Sequence, residues 1–513
     1  MKWLKKYVTV CTLLSFHFLS AQRVLYSPVI YDRYSSRFEL EGKTENYYWL
    51  LSERQIHSKH ADVIEQNLQI YDSRLSEVNE IPKFIVPQNA IKEYLIAGRK
   101  YFDRMLLSND SNKINISVQR FLQDGSQSSQ NKIISSFPFI ESGTSILLIR
   151  SEDKSKIMLL CFESVSSSAP KLHTILFDEN WHQLLYKIYQ HPFISQPIIQ
   201  DDFTSYPIES FSNSAVQLAN TGQWLMAAPS RTNNNFLLFH FCDDGSGFSY
   251  KEINLPSSSE LEDLSLSINN DKGEAFAGLL SKFHYAPLKN VEVVHYSMEK
   301  QQFDFDSSYR FNTLPGNKFR NENLVHENFV TVPGSGFLLL KEYGREFSTS
   351  FEDYNWDPAS FFANNNASTI RLLVYANSDG YTKFNQLASS SNTFRRGDLS
   401  LFYFPAQKND SCWSGIISKQ QTTDMNSPNL SYALFSEKNR LALLYNSSIK
   451  NSEEQYGSST FLDNQGNIIN DGGVAFWKFN TMLNFQQAKQ IDANELAVPY
   501  LDKERRGFAI IKF

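Results

Sequence analysis

The densest gathering of side chains able to do chemistry lies between Glu342 and Asn366, in the stretch EYGREFSTSFEDYNWDPASFFANNN. It combines the rings of Tyr343, Tyr354 and Trp356 with Arg345, Glu346, Glu352, Asp353 and Asp357. Ring faces beside carboxylates suit a sugar, because a ring stacks on the C–H face while an acid accepts hydrogen bonds from hydroxyls. The same acids could serve a cation or general acid–base chemistry. A surface loop pinned by its own aromatics is the competing reading. Nothing in the spacing sets two carboxylates at the roughly 5 to 10 Å that glycoside hydrolysis requires. Tyr343, Arg345, Asp353, Tyr354, Trp356 and Asp357 are therefore the ligand-binding candidates, and no catalytic residue is assigned.

Elsewhere the chemistry is sparse. His57 and His60, with Asp62 and Glu65 nearby, form the one close histidine pair, but two ligands without a third at a known spacing do not define a metal site. The histidines further along, from His173 to His326, are scattered without zinc-type spacing. No glycine-rich phosphate loop, nucleophile elbow or nicotinamide fingerprint occurs. No cofactor and no metal is expected. Cys161 in MLLCF and Cys242 in FHFC read as small core residues of strands, and Cys412, beside Trp413, as the more exposed thiol.

The elements that must position such residues are strands. The 513 residues are 41% hydrophobic and 20% charged, with 40 Phe and 25 Tyr, enough for a large core rich in residues that fit a pleated surface. Met1 to Gln22 opens with Lys2, Lys5 and Lys6, runs apolar from Tyr7 to Leu19 and ends in Ser20 and Ala21, the pattern of an export signal cleaved after Ala21. Removing it would take the formal charge from −6 to −9, which argues against a nucleic-acid partner. Residues 22–513 are then expected to form one domain without a transmembrane helix, in the periplasm, on the outer surface or outside the cell.

Between Ser214 and Pro256 the chain reads as four short strands, Ala215 to Asn220, Gln223 to Pro229, Phe236 to Cys242 and Phe248 to Leu255, separated by polar breaker clusters. Hairpins like its last pair begin near Leu68, Ile116, Lys171, Phe236, Val291, Ile370 and Val474. A four-stranded sheet cannot bury both faces alone, so neighbouring copies must cover it. The repeated strand, Asp-rich turn and strand resembles β-propellers, and implies an all-β propeller of seven four-stranded blades, with six or eight allowed. Extra strands at Leu399 to Phe404, Trp413 to Lys419, Leu430 to Phe435 and Leu441 to Tyr445 leave room for an eighth. Arg23 to Tyr31 and Gly507 to Phe513 are the expected closing strands. Pro87 to Asp110 fits either an amphipathic helix or two strands. Asp243, Gly245 and Phe248 are similar to part of the Asp-box turn of sialidase-like propellers, with Phe241 where that turn has Ser or Thr.

This pattern favours an exported, non-catalytic propeller that binds a protein or glycan partner in the cell envelope or outside the cell. A carbohydrate-active enzyme, hydrolase or lyase, with its site at the central channel is the first alternative. A structural subunit of an envelope assembly is the second.

Overall fold

The computed structural model describes residues 23–31, 37–57, 62–87, 89–110, 113–138, 145–162, 171–190, 215–229, 235–256, 259–283, 288–312, 323–332, 335–348, 375–376, 382–383, 392–407, 410–419, 421–423, 432–437, 440–447, 456–463, 467–474, 483–492, 494–502 and 505–513. They form an eight-bladed β-propeller of antiparallel, mostly four-stranded blades. The first blade holds Arg37–Lys43, Tyr48–His57, Asp62–Tyr71 and Glu77–Ile85, and the second Ala90–Ala97, Phe102–Asp110, Lys113–Phe121 and Gln127–Pro138. The third, fourth and fifth follow in the same up-and-down order and end at Gln190, Asn254 and Asn312. The fourth is the clearest unit of the sequence, with strands Val216–Leu218, Trp224–Pro229, Asn235–Phe241 and Phe248–Asn254.

The count of seven is corrected to eight. The seventh blade is Ala433–Glu437, Arg440–Ser447, Tyr456–Asp463 and Ile468–Val474. The eighth takes three strands from one end of the chain, Lys489–Asp492, Glu495–Asp502 and Arg505–Lys512, and its outer strand, Arg23–Tyr26, from the other. The register runs from Arg23 opposite Lys512 to Tyr26 opposite Ala509, with Ile30–Tyr31 pairing further along the same strand. Two hairpins move as a result. Val474 ends the outer strand of the seventh blade instead of opening a hairpin. The third strand of the sixth blade is Asn392–Pro405, and the hairpin near Ile370 is a separate pair, Tyr375–Ala376 with Thr382–Lys383, inside an insertion. That insertion starts later than Glu342, because Glu342 to Ser348 continues the strand Gly336–Ser348. Pro87 to Asp110 is two strands joined at Gly98 to Tyr101, not a helix.

One apolar cluster fills each of the eight interfaces between neighbouring blades. Alternation explains it: successive side chains of a strand point to opposite sheet faces, so a blade covered on both sides needs apolar residues at odd and even positions alike. Phe236, Leu238 and Ala227 of the fourth blade accordingly pack toward the fifth, while Leu237, Phe239, Phe241 and Met226 pack toward the third. Large rings anchor several interfaces. Trp49 stacks on Phe102 at 4.4 Å between the first two blades, and Phe435 on Phe513 at 3.9 Å between the last two. Trp49, Phe102 and Phe435 are fully buried, and each contributes about 1.5–3 kcal/mol.

First strands of adjacent blades touch around the axis, as between Arg37–Lys43 and Ala90–Ala97 and between Ser259–Asn269 and Asn323–Val332. Turns from first to second and from third to fourth strands therefore lie at one end of the ring, here the turn face. Connections from second to third strands and between blades lie at the other, the connector face.

Six of the turns share one conformation. At Asp72, Leu122, Ser151, Asp178, Ala219 and Cys242 the carbonyl accepts the N–H three residues on. The residue at that third position has positive φ: Leu75, Gly125, Lys154, Trp181, Gly222 and Gly245. Asp side chains hold the polar copies, as where Asp178 accepts the N–H groups of Asn180 and His182, both at 2.8 Å. The hairpin that begins at Lys171 thus turns at Asp178 to Asn180, and Trp181 occupies the left-handed position.

Tightness at the blade interfaces is testable at Gly278, where an added Cβ would lie 2.7 Å from Phe337 Cδ1 and 2.9 Å from Phe329 Cζ, both rings fully buried. Gly278→Ala is expected to cost about 1–3 kcal/mol in denaturant unfolding; an unchanged midpoint would contradict packing this close. Removing residues 22–31 should expose the edge of Arg505–Lys512, lower the melting temperature and cause aggregation on heating. A truncated chain as stable and monomeric as the parent would show that the ring does not depend on this strand.

Candidate functional site

The sequence candidates fall mostly outside the described residues. Tyr343 lies in the strand Gly336–Ser348 of the sixth blade and is 5% exposed. Arg345 is two residues further along the same strand, its backbone opposite Arg395. Asp353, Tyr354, Trp356 and Asp357 lie outside the described residues, as does His60; His57 ends the strand Tyr48–His57. Among the described residues no group of three or more His, Cys, Asp or Glu side chains is arranged to hold a metal ion. Cys161, Cys242 and Cys412 form no disulfide, and of the three only Cys412 is exposed. His240 is buried and stacks on Tyr296 at 4.5 Å, and burial brings its pKa down to about 4, so it is a neutral core residue.

Tyr343 does sit beside a concentration of charge. Toward the connector face, between the fifth and sixth blades, Lys289 pairs with both Glu262 and Glu327, and Lys341 lies 3.2 Å from Glu327. Lys419 pairs with Glu342 in the core of the sixth blade and donates to Gln421 Oε1 at 2.8 Å. Gln421 in turn donates to the carbonyl of Asn446, and Asn446 to that of Leu483, which carries the chain of polar contacts into the seventh blade. Asp263, on the innermost strand, accepts the Leu264 N–H at 2.7 Å and the backbone N–H of Phe329 in the next blade. Burial, reinforced by Glu327 and Glu262, raises its carboxyl from 3.8 to about 6. Burial lowers the Lys341 ammonium despite Glu327, and burial together with Glu327 raises the Tyr343 phenol. These contacts tie the fifth, sixth and seventh blades together.

The turn face presents clefts. A first lies between the second and third blades and is lined by Arg99, Lys100, Tyr101, Arg120, Arg150 and Lys154, with Asp103 and Glu179 among the remaining walls. A second, wider and more open, of about 360 Å³, is bounded by Tyr47, Lys100, Tyr101, Leu122, Gln123 and Asp124. Lys100 and Tyr101 line both, so the two clefts adjoin and together are called the groove; the first, of about 20 Å³, has room for about one water molecule.

The walls of the groove are turns of the repeat and the strand ends beside them. Tyr47 closes the first turn of blade one, where Thr44 donates to its carbonyl at 2.9 Å; Gly98 donates to the Tyr101 carbonyl at the same distance in the matching turn of blade two. Glu45 N–H to the Arg99 carbonyl, at 2.8 Å, locks the two turns together. Arg99 donates to the carbonyl and carboxylate of Asp153 on blade three, at 2.6 and 3.1 Å. Arg120 forms a two-pronged pair with buried Asp103 at 2.8 and 2.9 Å, and Trp181 Nε1 donates to the same carboxylate at 2.9 Å. The Arg120 guanidinium also lies 4.3 Å from the Tyr101 ring centre, which fixes that ring while leaving it half exposed. Lys100 is exposed at the junction of the two clefts. The result is a rigid groove of ring faces, amide and cations, suited to holding a ligand.

Sequence reasoning missed this groove because its residues sit on turns about 50 residues apart. The available signal was Gly98-Arg99-Lys100-Tyr101, a basic and aromatic turn inside a segment read for its apolar spacing.

Neither a family model nor a curated protein sequence matches the chain. Solved structures similar to it include the WD40 domain of SCAP from fission yeast, at 9% identity and TM-score 0.38, covering 96% of this chain and 94% of that one. An oligogalacturonate lyase in complex with manganese is similar at 6% identity and TM-score 0.34, covering 96% and 98%. The β-propeller domain of the Trilobed protease from Pyrococcus furiosus is similar at 8% identity and TM-score 0.33, covering 87% and 100%.

The connector-face charges yield a pH test. A carboxyl raised to about 6 costs the folded state stability when it ionises, a cost absent below its unfolded value and complete above about pH 6. Asp263→Asn should therefore melt above the parent at about pH 7.5, with the difference shrinking through about pH 6 and gone below about pH 4. A difference independent of pH would contradict the burial assigned to this carboxyl.

Proposed function

We propose that this chain is an exported, non-catalytic binding propeller that uses the groove on its turn face to hold a glycan or protein partner in the cell envelope or outside the cell. The groove of Tyr47, Lys100, Tyr101 and Gln123 carries the reading: its walls are braced to one another across three blades. Preorganisation of this kind favours binding because little side-chain freedom is lost on contact. The buried acids of the connector face are engaged with lysines and backbone N–H groups, which fits a scaffold role. Export rests on the leader-like residues 1–21, and no helix of the described residues is long and apolar enough to cross a membrane.

The mature chain, residues 22–513, can be screened on a glycan array, against envelope extracts, and for product release from the glycans that it binds. The reading expects binding without turnover, weakened at least about tenfold by Tyr101→Ala, a loss of about 1.4 kcal/mol. Product release abolished by replacing Asp353 and Asp357 would establish an enzyme instead.

A further inference from the structure

Five cations, Arg99, Lys100, Arg120, Arg150 and Lys154, line the inner cleft against two acids, Asp103 and Glu179. Along the two clefts together five cations face three acids, since Asp124 lines the outer one. Asp103 is spent on Arg120 and Trp181 in the wall. Arg99 reaches Asp153, yet about half of its side chain stays exposed, at 49%. Lys100 is exposed where the inner cleft meets the outer one, and no ion pair is described for it. The chain as a whole is acidic, at −6, so a cationic groove is a local departure from the surface around it.

Beside those cations stand two half-exposed phenol rings, Tyr47 and Tyr101, with Gln123 and Asp124 as hydrogen-bonding groups. Resting on the reading of the groove as the binding site, we infer that its ligand is a carboxylate-bearing saccharide, a uronate-containing glycan. The sugar's C–H face would lie on Tyr101 and Tyr47, and its carboxylate would meet Lys100 and the exposed side of Arg99. Gln123 and Asp124 would take hydroxyls. Charge-assisted bonds of this kind are about twice as strong as neutral ones, so the carboxylate sets the selectivity.

An acidic peptide would satisfy the cations as well, but the groove lacks what a peptide uses. Its backbone groups are already paired turn to turn, as between Thr44 and Tyr47, Gly98 and Tyr101, and Glu45 and Arg99, which leaves no strand edge to extend. Leu122, 38% exposed, is the one aliphatic side chain among the walls of the outer cleft, so no apolar anchor pocket is present there.

The test titrates the mature chain with tetrasaccharides of glucuronate, galacturonate and mannuronate, each beside its neutral parent sugar, and with an oligoglutamate peptide. At least one uronate should bind, its neutral parent at least about tenfold more weakly. Lys100→Gln should lose about tenfold, Lys100→Arg should retain binding, and raising NaCl from about 50 to about 500 mM should weaken the parent more than Lys100→Gln. Because Lys100 is exposed, unchanged melting temperatures will show that both variants are folded. Neutral parents binding as well as the uronates would overturn the inference and leave the binding reading standing. Oligoglutamate binding through Lys100 with no saccharide bound would overturn it in favour of a protein partner. If no sugar, peptide or envelope protein binds, both readings fail.

Discussion

Everything in this molecule depends on a short stretch of backbone pairing between residues nearly five hundred positions apart. Arg23 to Tyr26 hydrogen-bonds to Ala509 to Lys512 and completes the eighth blade. Each blade buries apolar side chains on both faces, so it is stable only between two neighbours, and a ring of such units has no free ends only if the last blade is whole. The junction is also pinned by side chains. Ser27 Oγ accepts the Phe508 N–H at 3.0 Å, and Tyr500 Oη donates to the Ser27 carbonyl at 3.3 Å, with Ser27 fully buried. Between neighbouring inner strands, Lys43 of the first blade pairs with Asp492 and Glu495 of the eighth at 2.9 and 3.2 Å, and Tyr48 donates to Glu495 at 2.9 Å. Closure therefore has three layers: outer backbone, buried hydroxyls and inner ion pairs.

A closed ring in turn makes the turn face rigid. The contacts run from blade to blade: Glu45 to Arg99, Arg99 to Asp153, the Asp153 N–H to Asn220, and the Asn220 N–H to Asn270. Asn270 then reaches back to Glu152, and Lys154 to the carbonyl of Lys43. These are short polar links between tight turns, and together they fix the ring faces of the groove more firmly than a long loop could. A binding surface built this way resembles a clasp of small knuckles, in which no single turn is large but each is braced by the next.

How much of this could be read from residue order depends on where each unit keeps its signals. The hairpins at Leu68, Ile116, Lys171, Phe236 and Val291 were legible because a short polar turn, with Asp or Gly in the first four, separates two strand-like runs, and all five occupy the third and fourth strands of their blades. The outer strand of the seventh blade, Ile468–Val474, was hidden because its Asn470-Asp471-Gly472-Gly473 reads as a strand breaker, yet those residues pair with Ser458 to Phe461. The Ile370 hairpin misled for the opposite reason: local alternation cannot say whether a hairpin extends a sheet or leaves it. The eighth blade has no local signature at all, since its strands come from both ends, although each closing strand was recognisable by its apolar run. The groove was the least legible feature, because Tyr47, Lys100, Gln123 and Lys154 become neighbours only once the ring is built.

Hydrogen exchange read by mass spectrometry on the chain of residues 22–513 addresses that closure most directly. Amides of 23–26 and 505–512 should exchange together and as slowly as those of the central strands Trp224–Pro229 and Asn235–Phe241. Rapid exchange across 23–26 while 505–512 stays protected would show a ring that is closed without its amino-terminal strand, and would contradict the account.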